Sequence, residues 1–359
     1  MSESAGAAPR AAGTERSRRA LGGWAVAGVA LAVGVLFPLA ENGDQGTMSI
    51  AVYVLIFMAS VSAWNIFSGY SGYLALGHAV FFGCGAYALA IAAVDWHLTP
   101  GWTTLELLPL CGAVAGAVAL PVGLIALRTR RHVFVVLTIA IFFIFQTLAI
   151  NLSSFTGGTA GKQPPFNDWS YTVYNQRFYY VALALVVVTA LLSWLVRRSR
   201  FGLQLMAIRD DEDRARGLGV RTMRVKLAAF VLSAIPVGVA GGIYCYFIGG
   251  IQPAGSGAAF DPLFDIALAL MGFIGGIGTI SGPLLGALVL EALQEKFTQI
   301  FSNDGLYLII YGALFVVILQ FLPRGIVPSV ADRLRAWRAR RSSATPGQAA
   351  GSGVAKVAR

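Results

Sequence analysis

Apolar stretches of about 17–25 residues, the length a helix needs to cross a bilayer, recur along this chain between short clusters of charge. Ten can be marked, at roughly 20–40, 47–67, 74–94, 105–127, 133–152, 178–196, 225–248, 263–280, 283–300 and 306–322. Of the 359 residues, 57% are hydrophobic and 12% charged. An ordinary soluble domain is about 25% charged and at most about half apolar. A water-soluble enzyme is therefore excluded. The pattern predicts an all-α, polytopic transmembrane helical bundle of about ten spans.

The placement of charge predicts an orientation. Basic residues gather in four groups: the N-terminal tail, residues 1–19 (Arg10, Arg16, Arg18 and Arg19), Arg128 to Arg131 (three), Arg197 to Lys226 (nine) and Arg324 onward (eight), which is 24 of the 27. With their seven acids these groups carry +17, and the rest of the chain carries −7. If the chain starts inside and alternates, every basic group lands on the cytoplasmic side, as the positive-inside rule requires. Both termini are then cytoplasmic. The excess charge of +10 thus has a membrane explanation, and no nucleic-acid partner is predicted. Residues 1–19 and about 326–359 read as disordered basic tails around a membrane domain at 20–325. The first stretch is too long for a signal-peptide core and has no small-x-small site before Glu41, so it reads as an uncleaved span. The stretches at 263–280 and 283–300 are rich in glycine and contain Asp265, Glu291 and Glu295, so each reads either as a full span or as a broken or re-entrant helix.

Three segments stand out. Residues 201–224 (FGLQLMAIRDDEDRARGLGVRTMR) lie between two spans on the predicted cytoplasmic side. Leu203, Met206, Ala207, Ala215 and Leu218 fall at helical spacing, and Asp210 to Asp213 can open a second short helix that Gly217 and Gly219 end. This is either an interfacial helix on the inner leaflet or a docking helix for a cytoplasmic partner; four consecutive acids favour docking. Residues 69–87 (GYSGYLALGHAVFFGCGAY) carry small residues suited to close helix packing, and Ser71, Tyr73 and His78 form a polar strip. His78 reads either as hydrogen-bonded within the bundle or as a solute contact. Residues 271–287 (MGFIGGIGTISGPLLGA) are poor at continuing a helix and read as a break.

Enzyme motifs fail. The run GGTAGK at 157–162 has the wrong spacing for a phosphate-binding loop and is followed by Gln163. Three scattered histidines and the isolated Cys84, Cys111 and Cys245 offer no metal or catalytic cluster. No catalytic residue and no metal site is predicted.

These segments, with Asn65, Leu137-Thr138-Ile139-Ala140, Phe155-Thr156-Gly157-Gly158, Lys226, Phe230 and Phe321-Leu322-Pro323-Arg324-Gly325, resemble the LivM-type permease subunits of branched-chain amino-acid ABC importers over about residues 45–325. The resemblance implies a multi-pass protein of the bacterial plasma (inner) membrane. It implies four kinds of partner: the lipid bilayer, a second homologous permease, two cytoplasmic ATPase subunits and an extracytoplasmic solute-binding protein. ATP would be used by the ATPase subunits, with no cofactor bound by this chain. Residues 201–221 would form the coupling helix region, where Arg209, Glu212, Ala215 and Gly219 match the family pattern. Arg214 and Gly217 depart from it where alanine is usual, and Phe142/Phe143 stand where many relatives carry Gly-Glu. A translocation path lined by Asn65, Ser71, His78, Thr156, Thr279 and Ser281 fits such a role. Urea and short-amide permeases share the same motifs. An ion-coupled secondary transporter is the rival class, with Asp265 and Glu291 as its only deep acids.

Overall fold

In a bilayer each backbone N–H and C=O must find a partner within the protein, so apolar runs of this length close their hydrogen bonds as helices. The computed structural model describes residues 28–38, 45–165, 169–255, 257–300 and 312–313. The helices are α1 (Gly28–Pro38), α2 (Gln45–Trp64), α3 (His78–Asp95), α4 (Trp102–Leu105), α5 (Leu108–Ala126), α6 (Arg131–Asn151), α7 (Ser153–Thr156), α8 (Tyr171–Arg198), α9 (Arg200–Asp210), α10 (Glu212–Gly217), α11 (Thr222–Ile248), α12 (Pro262–Gly275) and α13 (Ser281–Ile300). A π-helical turn, Asn65–Gly69, extends α2. Among the described residues the only β pairing is an isolated bridge between Lys162 and Ile251.

Among the described residues, six helices are long and apolar enough to span a membrane: Gly46–Gly69, His78–Asp95, Trp102–Ala126, Arg131–Asn151, Thr172–Arg198 and Thr222–Ile248. That is fewer than the ten expected. The described part of the 20–40 stretch is only Gly28–Pro38, held against α8 by the Tyr179 hydroxyl donating to the Gly34 carbonyl at 2.7 Å. The 263–280 stretch folds as the 14-residue α12, a rise of about 21 Å against a hydrocarbon core of about 30 Å. It stops where Gly276 (φ 115°) and Gly278 (φ 78°) turn the chain back into α13. Both tails, and all but 312–313 of the 306–322 stretch, lie outside the described residues.

Central and peripheral helices differ in how much they hide. In α2 the apolar window is 78% buried, whereas in α6 it is 22%, so α2 runs through the middle and α6 along the outside. Around α11 pack α3, α5 and α2, while α8 and α13 pack on α2. Glycine permits the closest of these approaches. A Cβ on Gly85 of α3 would lie 2.0 Å from the Gly238 carbonyl oxygen of α11, and one on Gly238 would lie 2.3 Å from the Ala115 Cβ of α5. Small residues at helix contacts are the means by which helices associate where no hydrophobic force separates them from lipid.

Connections gather at two ends of the bundle. One, the basic end, holds Arg131, Arg197, Arg209 and Lys226 in mutual reach of the α2–α3 and α12–α13 turns. At the other, Lys162 pairs with Asp95 at 3.4 Å, and the Gly101 N–H donates to the Tyr246 hydroxyl at 2.8 Å. The loop around residues 153–165 is ordered there by α7, the 3₁₀ turn Gly158–Ala160 and the bridge to Ile251. This alternation is the one the charge clusters predict for the spans from α2 to α11.

Candidate functional site at the basic end

Residues 199–221 form a helical hairpin that projects from the basic end. Ser199 caps α9, its hydroxyl accepting from the Gly202 N–H at 3.1 Å. Asp211 caps α10, its carboxylate accepting from the N–H groups of Asp213 and Arg214, both at 3.0 Å. The acid run does open a second helix, because a carboxylate beside free N–H groups satisfies them and meets the positive end of the helix dipole. The helix ends in a Schellman motif: the Val220 N–H donates to the Ala215 carbonyl and the Gly219 N–H to that of Arg216. Gly219 takes the left-handed φ of 86° that this closure requires.

The apolar stripe read from the sequence is rotated in the structure. Leu205, Ile208 and Ala215 are buried, whereas Leu203 is exposed and Leu218, at the tip, is 85% exposed. Asp213, Arg214 and Arg216 are exposed beside it. The Schellman turn folds Val220 back towards Ala215 and leaves Leu218 outward.

Arg209 and Glu212 turn the other way. Glu212 Oε1 accepts from Lys226 Nζ at 2.7 Å, and Oε2 accepts from the Tyr73 hydroxyl. Lys226 Nζ also donates to that hydroxyl at 3.1 Å and lies 4.3 Å from the Tyr73 ring centroid. The Lys226 side chain is 4% exposed and that of Glu212 18%. Burial raises the Glu212 carboxyl, but its hydrogen bonds to Lys226 and Tyr73 and the charges of Lys226 and Arg216 outweigh burial and hold its pKa below 4.5. Arg209 Nη1 donates to the Gly69 carbonyl at 2.9 Å. Arg131 Nη2 donates to the carbonyls of Ile208 and Arg209 at 2.7 and 2.9 Å, and Arg197 Nη1 to that of Gly278 at 2.9 Å. Of the four residues matched to the coupling pattern, Arg209 and Glu212 therefore direct their charged groups into the bundle, Ala215 is buried, and Gly219 alone lies free on the exposed turn.

The six path candidates are not gathered in one place. Asn65 and Thr279 meet: Asn65 Nδ2 donates to the Thr279 carbonyl and Oδ1 accepts from the Gly278 N–H, both at 2.8 Å. Thr279 Oγ1 spans its own turn, donating to the Gly276 carbonyl at 2.7 Å and accepting from the Gly282 N–H at 3.0 Å. Ser71 is buried and accepts from the Tyr73 N–H at 3.2 Å. His78 is buried with Nε2 3.0 Å from Ser233 Oγ. Thr156 stays in the α7 turn at the opposite end, donating to the Leu152 carbonyl at 2.9 Å, and Ser281 is an exposed first residue of α13.

A sequence model described as "Branched-chain amino acid transport system / permease component" matches residues 46–319. This chain belongs to that family. The permease is 28% identical to the high-affinity branched-chain amino acid transport system permease protein LivM of Escherichia coli K12 over 318 residues, covering 81% of this chain and 72% of that protein. It is 28% identical to LivM of Salmonella typhimurium LT2 over 331 residues, covering 85% and 75%. The autoinducer 2 import system permease protein LsrC of Yersinia pseudotuberculosis is 33% identical over 114 residues, 32% of each chain. No solved structure matches. The permease is thus an integral inner-membrane transport subunit and not an enzyme.

Two groups that motif reading did not assign to the site help to hold this permease together. The Asp265 carboxylate, buried on α12, accepts from the N–H groups of His78 and Ala79 at 2.7 and 3.1 Å and so caps α3. Lys226 is the counter-ion that Glu212 needs. The signal for both was available: an ionisable residue inside an apolar run is there for a partner. What one sequence could not supply is which partner.

Proposed function

We propose that this permease is the membrane-spanning subunit of an ATP-driven importer for branched-chain or related small amino acids. It works with a second homologous permease, two cytoplasmic ATPase subunits and an extracytoplasmic binding protein. The hairpin 199–221 is the segment the ATPase grips. The observation that carries this reading is Leu218: a large apolar side chain, 85% exposed, at the tip of a projection flanked by Asp213, Arg214 and Arg216. An apolar anchor ringed by charge is the form of a docking knob, where a buried centre supplies affinity and the rim supplies orientation. Membrane lipid is a poorer occupant, because Asp210, Asp211 and Asp213 would be repelled by an anionic leaflet.

The solute class rests on likeness across most of the chain to LivM, whereas likeness to LsrC covers about a third. The chain itself contributes no covalent chemistry. Its helices offer a path that opens alternately to either side as packed elements switch between discrete arrangements. Asn65, Thr279 and the α12–α13 turn supply polar groups to that path.

Leu218→Asp tests the reading. It changes a fully projecting side chain, so insertion into the membrane should persist. Co-purification of the ATPase subunits and amino-acid uptake should both be lost. Uptake that survives and follows the proton gradient would defeat it.

A further inference from the structure

We propose that Tyr73, Glu212 and Lys226 are positioning residues that transmit movement of α10 into the break between α2 and α3, and are not part of the surface the ATPase holds. This rests on the function proposed above. A docking residue must present its group outward, and Glu212 does not. One carboxylate oxygen is bound by Lys226 Nζ at 2.7 Å and the other by the Tyr73 hydroxyl, with Arg216 Nη2 3.4 Å from the first. The face of α10 left to a partner is that of Asp213, Arg214 and Arg216, leading to Leu218.

Three separate pieces of chain meet at this carboxylate: α10, the first turns of α11, and the non-helical run 72–77. That run is wired into the bundle. The Ala75 N–H donates to Ser68 Oγ at 3.2 Å, Trp64 Nε1 donates to the Ala75 carbonyl at 2.8 Å, and the Leu76 N–H donates to Thr138 Oγ1 at 3.2 Å. Immediately beyond it, α3 begins with the two N–H groups that Asp265 of α12 holds. Displacing α10 therefore pulls on Tyr73, then on the start of α3, then on α12. Arg209 supplies a second attachment on the α2 side of the same break, through the Gly69 carbonyl. An ion pair with little exposure suits a link of this kind. It is directional, and separating it leaves a charge without a partner, so the three elements move together in preference to sliding apart.

The test uses the assembled transporter with its ATPase and binding protein in proteoliposomes. It reads three quantities: ATPase subunits retained on the permease, ATP hydrolysed, and solute delivered per ATP. With Glu212→Gln, which keeps the shape and removes the charge, the ATPase subunits should remain bound and hydrolysis should continue. Solute delivered per ATP should fall by about tenfold, within the usual range of coupling between sites. Tyr73→Phe keeps the ring against Lys226 and removes the hydroxyl, and should lower the same ratio. The reciprocal pair Glu212→Lys with Lys226→Glu should recover it in part. A residue that merely stabilised the fold would reduce the amount of complex and leave the ratio unchanged, and that result overturns the proposal. Loss of bound ATPase in Glu212→Gln overturns it also, by making Glu212 a docking group. If the wild-type chain binds no ATPase, it is the proposed function that has failed.

Discussion

Lys226 carries an ammonium on a helix whose neighbours are mostly apolar, and Glu212 is what makes that tolerable. Lys226→Met should destabilise the protein by about 3 kcal/mol, because Glu212 is then left largely buried with its main counter-charge gone; thermal unfolding in detergent measures it. The pH dependence has a definite sign. The folded Glu212 pKa is depressed below 4.5, with Lys226, Tyr73 and Arg216 facing the carboxylate. Its contribution is therefore present in full above the ordinary carboxylate range and lost as pH falls through the lowered value. The melting advantage of the wild type over Glu212→Gln should be constant near neutrality and shrink only in acid. At Gly219 a Cβ meets nothing within 4 Å, yet φ is 86°. Gly219→Ala should cost about 1 kcal/mol from backbone strain alone. Gly217→Ala, with the same open space but inside α10, should be neutral or stabilising.

Elements show where sequence reading ran out. The hairpin's existence, its capping acids and its glycine stop follow from local chemistry, and all were readable. Its rotation was not: Leu203 and Leu218 look as fit for burial as Leu205 and Ile208 until the bundle fixes which side faces inward. The break at 276–280 was readable from three glycines in a short run, but the role of Asn65 in holding it depends on a contact more than 200 residues away in sequence. Asn65→Leu should leave the Gly278 N–H and the Thr279 carbonyl without their side-chain partner. The expected cost is about 2 kcal/mol, together with faster hydrogen exchange confined to the α12–α13 turn. Gly85→Ala tests the packing of α3 on α11. Its methyl group would sit against the Gly238 carbonyl, so the helices must part, at a cost of about 1–3 kcal/mol.

At the scale of the whole molecule, hydropathy predicts the number of crossings and the charge clusters predict their orientation. Apolar length alone suggests ten crossings; six helices qualify among the described residues, α12 is too short at 14 residues, and most of the first and last stretches lies outside the described residues. The two basic clusters within the described residues, 128–131 and 197–226, do share one end, where Arg131 donates to the carbonyls of Ile208 and Arg209. The proposed function requires that the 199–221 hairpin face the cytoplasm and be held there by a separate ATPase. Leu218→Cys, with Cys84, Cys111 and Cys245 replaced, gives a single thiol at the tip that a membrane-impermeant maleimide can label. Intact cells should show no labelling and inside-out vesicles stripped of ATPase full labelling, with protection when the ATPase subunits are restored. Labelling of intact cells, or labelling of vesicles indifferent to the ATPase, would contradict the proposed function.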